Sequence, residues 1–355
     1  MYNKNRINGS LGTALPEHSI IQPSGSDDTR AVQAGIERAA AGDGIVRLAR
    51  GVFHISETIT ISRTAGLKII GTGCRDPSNF GPGWSDIGRS IGSCFYWSGL
   101  RGGTMFNVTA SPDTVFKHLM FDGRTKAGVL VELDTTPGWS TTAARLEHVA
   151  VQGAEVGIQL GRPSHPINDN NDIFTFESLT LMCDIGVRIC NNQSLCHRFS
   201  YVDNYSRIGI DIRQGGCITV DRLLQSGPDK NRTGVVFSGG GINAATLSIT
   251  NARIEAGCLL TCGGANQIVD VSSYCDAAGP NGVPWKIGPS ALVSVRASSF
   301  QGTIAELAGA PGAKAVLIVH DSALAKPTRE CIIYKNVHAY AAVEGVFIQW
   351  TNQPA

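Results

Sequence analysis

The chain has 355 residues, a formal net charge of +1, 42 glycines, 17% charged residues and 7% aromatic residues. That length suits one elongated domain or two compact ones, the small charge does not by itself point to a polyanion partner, with no nucleic acid expected, and no apolar run approaches the ~18 residues a membrane span needs. So much glycine beside so few charges suits short strands joined by turns.

Residues 1–25 are polar and contain Gly and Pro, as expected of an extended arm that pairs with the first turn of the structure that follows or with a partner. The opening Met1-Tyr2-Asn3-Lys4-Asn5-Arg6 has positive charge but no apolar stretch behind it, unlike a secretion signal. Ten cysteines are scattered without paired spacing. In a secreted protein they would be expected to form a disulfide framework. Without a signal they read as small buried apolar residues, and the chain as one made in a reducing cytoplasm. Secretion is the alternative.

Ser26 to Gly73 organise the rest. Asp27 or Asp28 can accept the unpaired N–H groups of a helix's first turn. Ala31, Val32, Ile36, Ala39 and Ala40 then recur on one helical face, and Gly42-Asp43-Gly44 stops the helix. Short strands come next at Val46 and Leu48, Phe53 and Ile55, Ile59 and Ile61, and Leu67 and Ile69. A helix closing the end of a stack of short strands is the plainest reading.

Asp27-Asp28-Thr29, Arg50-Gly51-Val52-Phe53 and Gly71-Thr72-Gly73 resemble the N-terminal signature of the pectate-lyase-like superfamily, with Arg50 where a proline is usual. The resemblance implies an all-β fold, a right-handed, single-stranded parallel β-helix with an N-terminal capping helix. It says little about activity, because lyases, hydrolases, phage tailspikes and structural proteins share that fold.

Residues 74–104 read as a long insertion carrying Phe80, Trp84, Phe95, Tyr96 and Trp97. Loops of that length are often functional. From Met105 a glycine followed by apolar–any–apolar recurs at Gly128, Gly157, Gly186, Gly209, Gly234 and Gly257, with a weaker copy at Gly282. The intervals are 29, 29, 23, 25, 23 and 25 residues. Near-equal periods in that range mean a solenoid, because one coil cannot bury its inward side chains alone. The expected division is an arm at 1–25, a β-helix at 26–290, and C-terminal strands at 291–355 that close the stack or make subunit contacts.

Aligning the repeats places Glu155, Asp184 and Arg207 in one column, about one coil spacing apart. Paired carboxylates at that separation suit a retaining glycosidase. A carboxylate pair beside an arginine can instead serve a lyase or hold calcium, and an exposed turn ladder with an Asp184–Arg207 ion pair is the simpler reading. A second column holds Lys117, Glu147, Glu177 and His197, beside His118, His148, Ser178 and Arg198. Gln159, Arg188 and Asp211 read as cross-strand pairing. Trp84, Trp97 and Trp139 are candidate platforms for stacking sugar rings, or anchors for their own loops. Residues 168–172 are oxygen-rich but lack the spacing of a calcium loop, and no Cys/His cluster has zinc spacing. No cofactor or metal is expected. The four motifs of polygalacturonase-like hydrolases are not found.

The first functional reading is a virion-associated β-helix: a phage tailspike, fibre or capsid-decorating protein. By resemblance it would be homotrimeric, would meet other virion proteins, and would be able to bind surface polysaccharide. The alternatives are a polysaccharide lyase or glycoside hydrolase acting on an acidic polysaccharide, and a noncatalytic carbohydrate-binding protein.

Overall fold

The computed structural model describes residues 20–74, 92–136, 140–162, 172–190, 196–214, 216–238, 245–264, 267–275, 282–296, 298–300, 303–320, 322–324, 332–344 and 347–348. Helix α1 (Thr29–Ala41) comes first, and the strands after it all join one sheet system. Each coil runs along three faces. The first face starts at Ile45–Arg47 and continues through Lys68–Ile70 to Ala339–Glu344. The second starts at Gly51–Ile55 and continues through Ser93–Trp97 to Phe347–Ile348. The third starts at Ile59–Ser62 and continues through Thr104–Thr109 to Ile332–Tyr334. Strands on a face pair in parallel with the coils before and after, so the chain is a parallel β-solenoid.

Alternation drives this arrangement. Ile59 and Ile61 are buried while Thr60 and Ser62 are exposed, and Ala315, Leu317 and Val319 alternate inward in the same way. One core runs the length of the stack. Where strands turn between the first and second faces, five coils each place one residue in a left-handed conformation: His118, His148, Ser178, Arg222 and Asn251, with φ between 52° and 58°. At the corner between the second and third faces the device is glycine. A Cβ on Gly186 would lie 2.7 Å from the Gly209 carbonyl and 2.7 Å from Leu181 Cδ1. Close approach therefore demands glycine there, at an ordinary φ.

The helix lies across the first coil. Its buried residues are Thr29, Val32, Gly35, Ile36 and Ala39, whereas Ala31 and Ala40 face out. Gly35 belongs to the buried face because Ile21 packs directly over it. The two aspartates divide the work. Asp27 Oδ1 accepts from Thr29 N at 3.1 Å and from the Thr29 hydroxyl at 2.6 Å, and the Thr29 hydroxyl is the main cause holding its carboxyl below the usual range. Asp28 makes no cap bond. It accepts instead from Ser24 N at 2.8 Å and His54 N at 3.0 Å, tying the incoming segment to the second face. Ile21 N donates to the Arg47 carbonyl, so the described part of the arm pairs with the first coil.

Three expectations change. Residues 93–97 and 104–109 are strands in full register with the first coil, so the insertion predicted at 74–104 is shorter than its glycine and aromatic content suggested. The stack does not end near residue 290: Ala291–Arg296, Ala315–His320 and Ala339–Glu344 extend the first face in register. Register also separates the glycines. Gly157, Gly186, Gly209 and Gly234 align, because Val156, Ile185, Ile208 and Thr233 pair in sequence. Val129 pairs with Val156, so Leu130 rather than Gly128 meets Gly157. Thr233 pairs with Cys258, so Leu259 rather than Gly257 meets Gly234. Leu130 and Leu259 are fully buried and fill the corner that the four glycines leave thin.

Candidate functional site on the outer third face

An outward side chain on a sheet is ordinarily solvated. On the third face several are not. Glu132, Gln159, Arg188 and Asp211 stand in register on four successive coils. Glu132, Gln159 and Asp211 are each only 5–6% exposed, and Asp134, two residues beyond Glu132, is 2% exposed.

Buried carboxylates must be paired, and arginines pair these. Arg162 grips Glu132 with both prongs, Nε to Oε1 at 2.8 Å and Nη2 to Oε2 at 3.0 Å. The same Nε lies 3.1 Å from Asp134 Oδ2. The Glu132 hydrogen bonds hold the Arg162 guanidinium above its ordinary value. Gln159 Nε2 donates to Glu132 Oε1 at 3.2 Å. Asp211 Oδ2 accepts from Arg188 Nε at 3.4 Å and from Arg213 Nε at 2.9 Å. The arginine side chains are 36%, 18% and 44% exposed for Arg162, Arg188 and Arg213, against 8%, 3% and 6% for their partners Glu132, Asp134 and Asp211. The face therefore presents guanidinium groups fixed from beneath by carboxylates. Such groups are planar hydrogen-bond donors with their rotamer freedom already spent.

Glu155, Asp184 and Arg207 border this lattice, on successive coils just before the third-face strands. All three are exposed. Arg207 holds Asp184 with two bonds, 2.6 and 3.1 Å. That contact is the main cause lowering the Asp184 carboxyl and raising the Arg207 guanidinium. A glycosidase's general acid needs the opposite, a raised carboxyl. Asp27, Asp184 and Asp221 are the described carboxyls with resolved shifts, and all move downward.

The second column divides. Lys117, Glu147 and Glu177 are in register, and Lys117 Nζ lies 2.6 Å from Glu147. His118 and His148 stack in parallel at 5.0 Å. Burial is the main cause lowering His118, with the His148 charge second. His197 is elsewhere: it pairs with Phe174 and turns into the core, 2% exposed. Trp97 also turns inward, is 2% exposed, and donates its indole N–H to the Leu100 carbonyl at 3.0 Å. No sugar can stack on a ring in that position. Trp84, Trp139 and residues 168–171 lie outside the described residues.

Sequence reasoning saw Gln159, Arg188 and Asp211 but missed Glu132, Asp134, Arg162 and Arg213. Glu132 was hidden by the two-residue slip of Gly128. Arg162 and Arg213 lie two residues and one residue past the ends of their strands, beyond any apolar pattern. Among the described residues no helix is long and apolar enough to cross a membrane, and no group of three or more His, Cys, Asp or Glu is placed to hold a metal ion.

No family model matches the sequence, and no curated protein matches it. Solved structures do match the fold. The DFA-IIIase of Arthrobacter chlorophenolicus A6, in complex with GF2, superposes with a TM-score of 0.61 at 13% identity, covering 93% of this chain and 92% of that one. The A-module of the Azotobacter vinelandii mannuronan C-5 epimerase AlgE6 gives 0.54 at 15% identity, covering 92% and 96%. The tailspike of Escherichia coli bacteriophage HK620, in complex with a pentasaccharide, gives 0.56 at 11% identity, covering 92% of this chain and 63% of that one. These likenesses make the solenoid a right-handed parallel β-helix.

Proposed function

We propose that the chain is a carbohydrate-binding β-helix protein carried on a virion, and that a polysaccharide lies along its outer third face. The observation that carries this reading is the lattice of Arg162, Arg188 and Arg213 over buried carboxylates. Its donors are fixed before any ligand arrives, and three successive coils each supply one arginine to it. Arg207 and Asp184 extend the polar surface at its border, with Glu155 beside them. The fold likeness to a tailspike that holds a pentasaccharide supports the same reading. Guanidinium groups on the outside favour an acidic polysaccharide over a neutral one.

Calorimetry of the full chain with acidic and neutral polysaccharides tests this. Binding should weaken at least tenfold in Arg188→Gln and in Arg213→Gln, each of which leaves Asp211 one arginine. Undiminished binding in both variants removes the third face from consideration. The virion reading implies a homotrimer that meets other virion proteins. Light scattering should then give three times the 37.5 kDa chain mass, and a clean monomer argues for a free enzyme or module.

A catalytic reading rests on Glu155 and Asp184 occupying adjacent coils. It requires unsaturated uronates or new reducing ends on incubation with the bound polysaccharide, abolished by Glu155→Gln and Asp184→Asn. The lowered Asp184 carboxyl places this second.

A further inference from the structure

Most described cysteines are buried, among them Cys94, Cys183, Cys190, Cys258 and Cys262. Burial pushes the thiols of Cys183 and Cys262 up to about 12 and that of Cys190 up to about 11, which keeps the reactive thiolate scarce. Two cysteines differ. Cys196 and Cys217 are both exposed and both free. They also face one another. Cys196 opens the strand Cys196–Phe199, Cys217 opens the strand Cys217–Asp221, and the two pair in parallel with Cys196 directly opposite Cys217. The next pair in register, His197 and Ile218, points into the core with each residue 2% exposed. Alternation therefore puts both thiols on the outer side of the first face, on consecutive coils. Neighbouring strands lie about 4.8 Å apart, inside the ~4.4–6.8 Å range of Cα separations that a disulfide spans.

We propose that Cys196 and Cys217 are a redox site: a dithiol that closes to an inter-coil disulfide by exchange with a small-molecule disulfide. One cysteine thiolate attacks a sulfur of the small disulfide. The old S–S bond breaks, a mixed disulfide forms, and the expelled small thiolate takes up the proton that the attacking thiol gave up. The second cysteine thiolate then attacks the protein sulfur of the mixed disulfide. The Cys196–Cys217 bond forms, and a second small thiol leaves with the second proton. Two protein thiols are oxidised to one disulfide and one small disulfide is reduced to two thiols. The bond encloses one complete coil, so it holds that coil's two ends together when the chain unfolds. An oxidising medium would close it and a reducing one would open it.

The test uses the full chain, freshly reduced, freed of reductant and incubated with 2-hydroxyethyl disulfide. Remaining thiols are then alkylated, and the protein is digested and mapped by mass spectrometry. The expected product is a peptide pair joined through Cys196 and Cys217, with no hydroxyethylthio adduct on either. In Cys196→Ser, Cys217 should instead retain a stable adduct. The thermal midpoint of the wild-type chain should rise on oxidation, and that of Cys217→Ser should not. Alkylated thiols at both positions after incubation, or an adduct on each without a link, overturns the proposal.

Discussion

Before residue 200 the core carries a run of rings among its aliphatic side chains. Phe53, Phe95, Phe106, Phe116, Phe121, Phe174, Phe176 and Phe199 are fully buried, and Phe95, Phe106, Phe116 and Phe121 touch one another at centroid distances of 4.8 to 5.8 Å. From residue 273 onward the same backbone plan is filled, among the side chains described, by Val293, Val295, Leu317 and Val319 with one large ring, Trp285. There a serine ladder marks the corner between the first and second faces. Ser298 Oγ accepts from Ser273 N at 2.6 Å and donates to the Arg296 carbonyl at 2.8 Å, and Ser322 Oγ accepts from Ser298 N at 3.3 Å. Upstream that corner is turned by left-handed residues such as His118, His148 and Ser178. One coil geometry thus admits two solutions. Rings supply area and shape upstream. Downstream, smaller side chains need hydrogen bonds from coil to coil to fix the bend.

The largest test of that contrast is Phe106→Ala. It removes a ring that three other rings touch and should cost ~3–5 kcal/mol by denaturant titration. Leu317→Ala downstream should fall near the lower end of the ~2–5 kcal/mol range for such truncations. Equal losses would break the comparison.

His197 interrupts the ring stack next, edge-on to Phe174 at 5.3 Å. Burial pushes it down from 6.5 to about 3. The folded state therefore binds its proton less readily than the unfolded chain. Stability from this site is complete above pH 6.5 and falls as pH drops toward 3, with a slope approaching ~1.4 kcal/mol per pH unit. His197→Leu should flatten that acid limb in denaturation midpoints taken from pH 7 to 4.

A smaller effect is expected at the serine ladder. Ser298→Ala leaves the buried Ser273 N–H without its acceptor and should cost ~1–3 kcal/mol. The smallest belongs to the exposed border pair, where Arg207→Ala should cost no more than ~1 kcal/mol and lose that effect at high salt. A larger, salt-independent loss would mean that the pair is coupled to the buried lattice beside it.

The solenoid was legible in the glycine-led triplets because four of them do share one corner. Its register was less so. The strand Val115–Asp134 slips against its neighbour between Asp122 and Ala127, so counting back from a glycine misplaces whatever lies across that slip. His197 was aligned with Glu177 for a similar reason: connections between coils differ in length, and its true partner is Phe174. Trp97 looked like a loop residue because glycines surround it, yet the strand Ser93–Trp97 turns it inward. The arginine lattice depends on long side chains reaching sideways from positions past the strand ends, where no periodic signal exists.

Helix α1, laid across the first coil, also settles which way this rod can grow. A bare solenoid exposes a rung of unpaired peptide groups at each end, and identical molecules could add head to tail without limit, as in a fibril. With Val32, Ile36 and Ala39 sealed against the leading rung, that rung offers no template to a second molecule. Head-to-tail addition through that rung, the open-ended route to a fibre, is thereby closed.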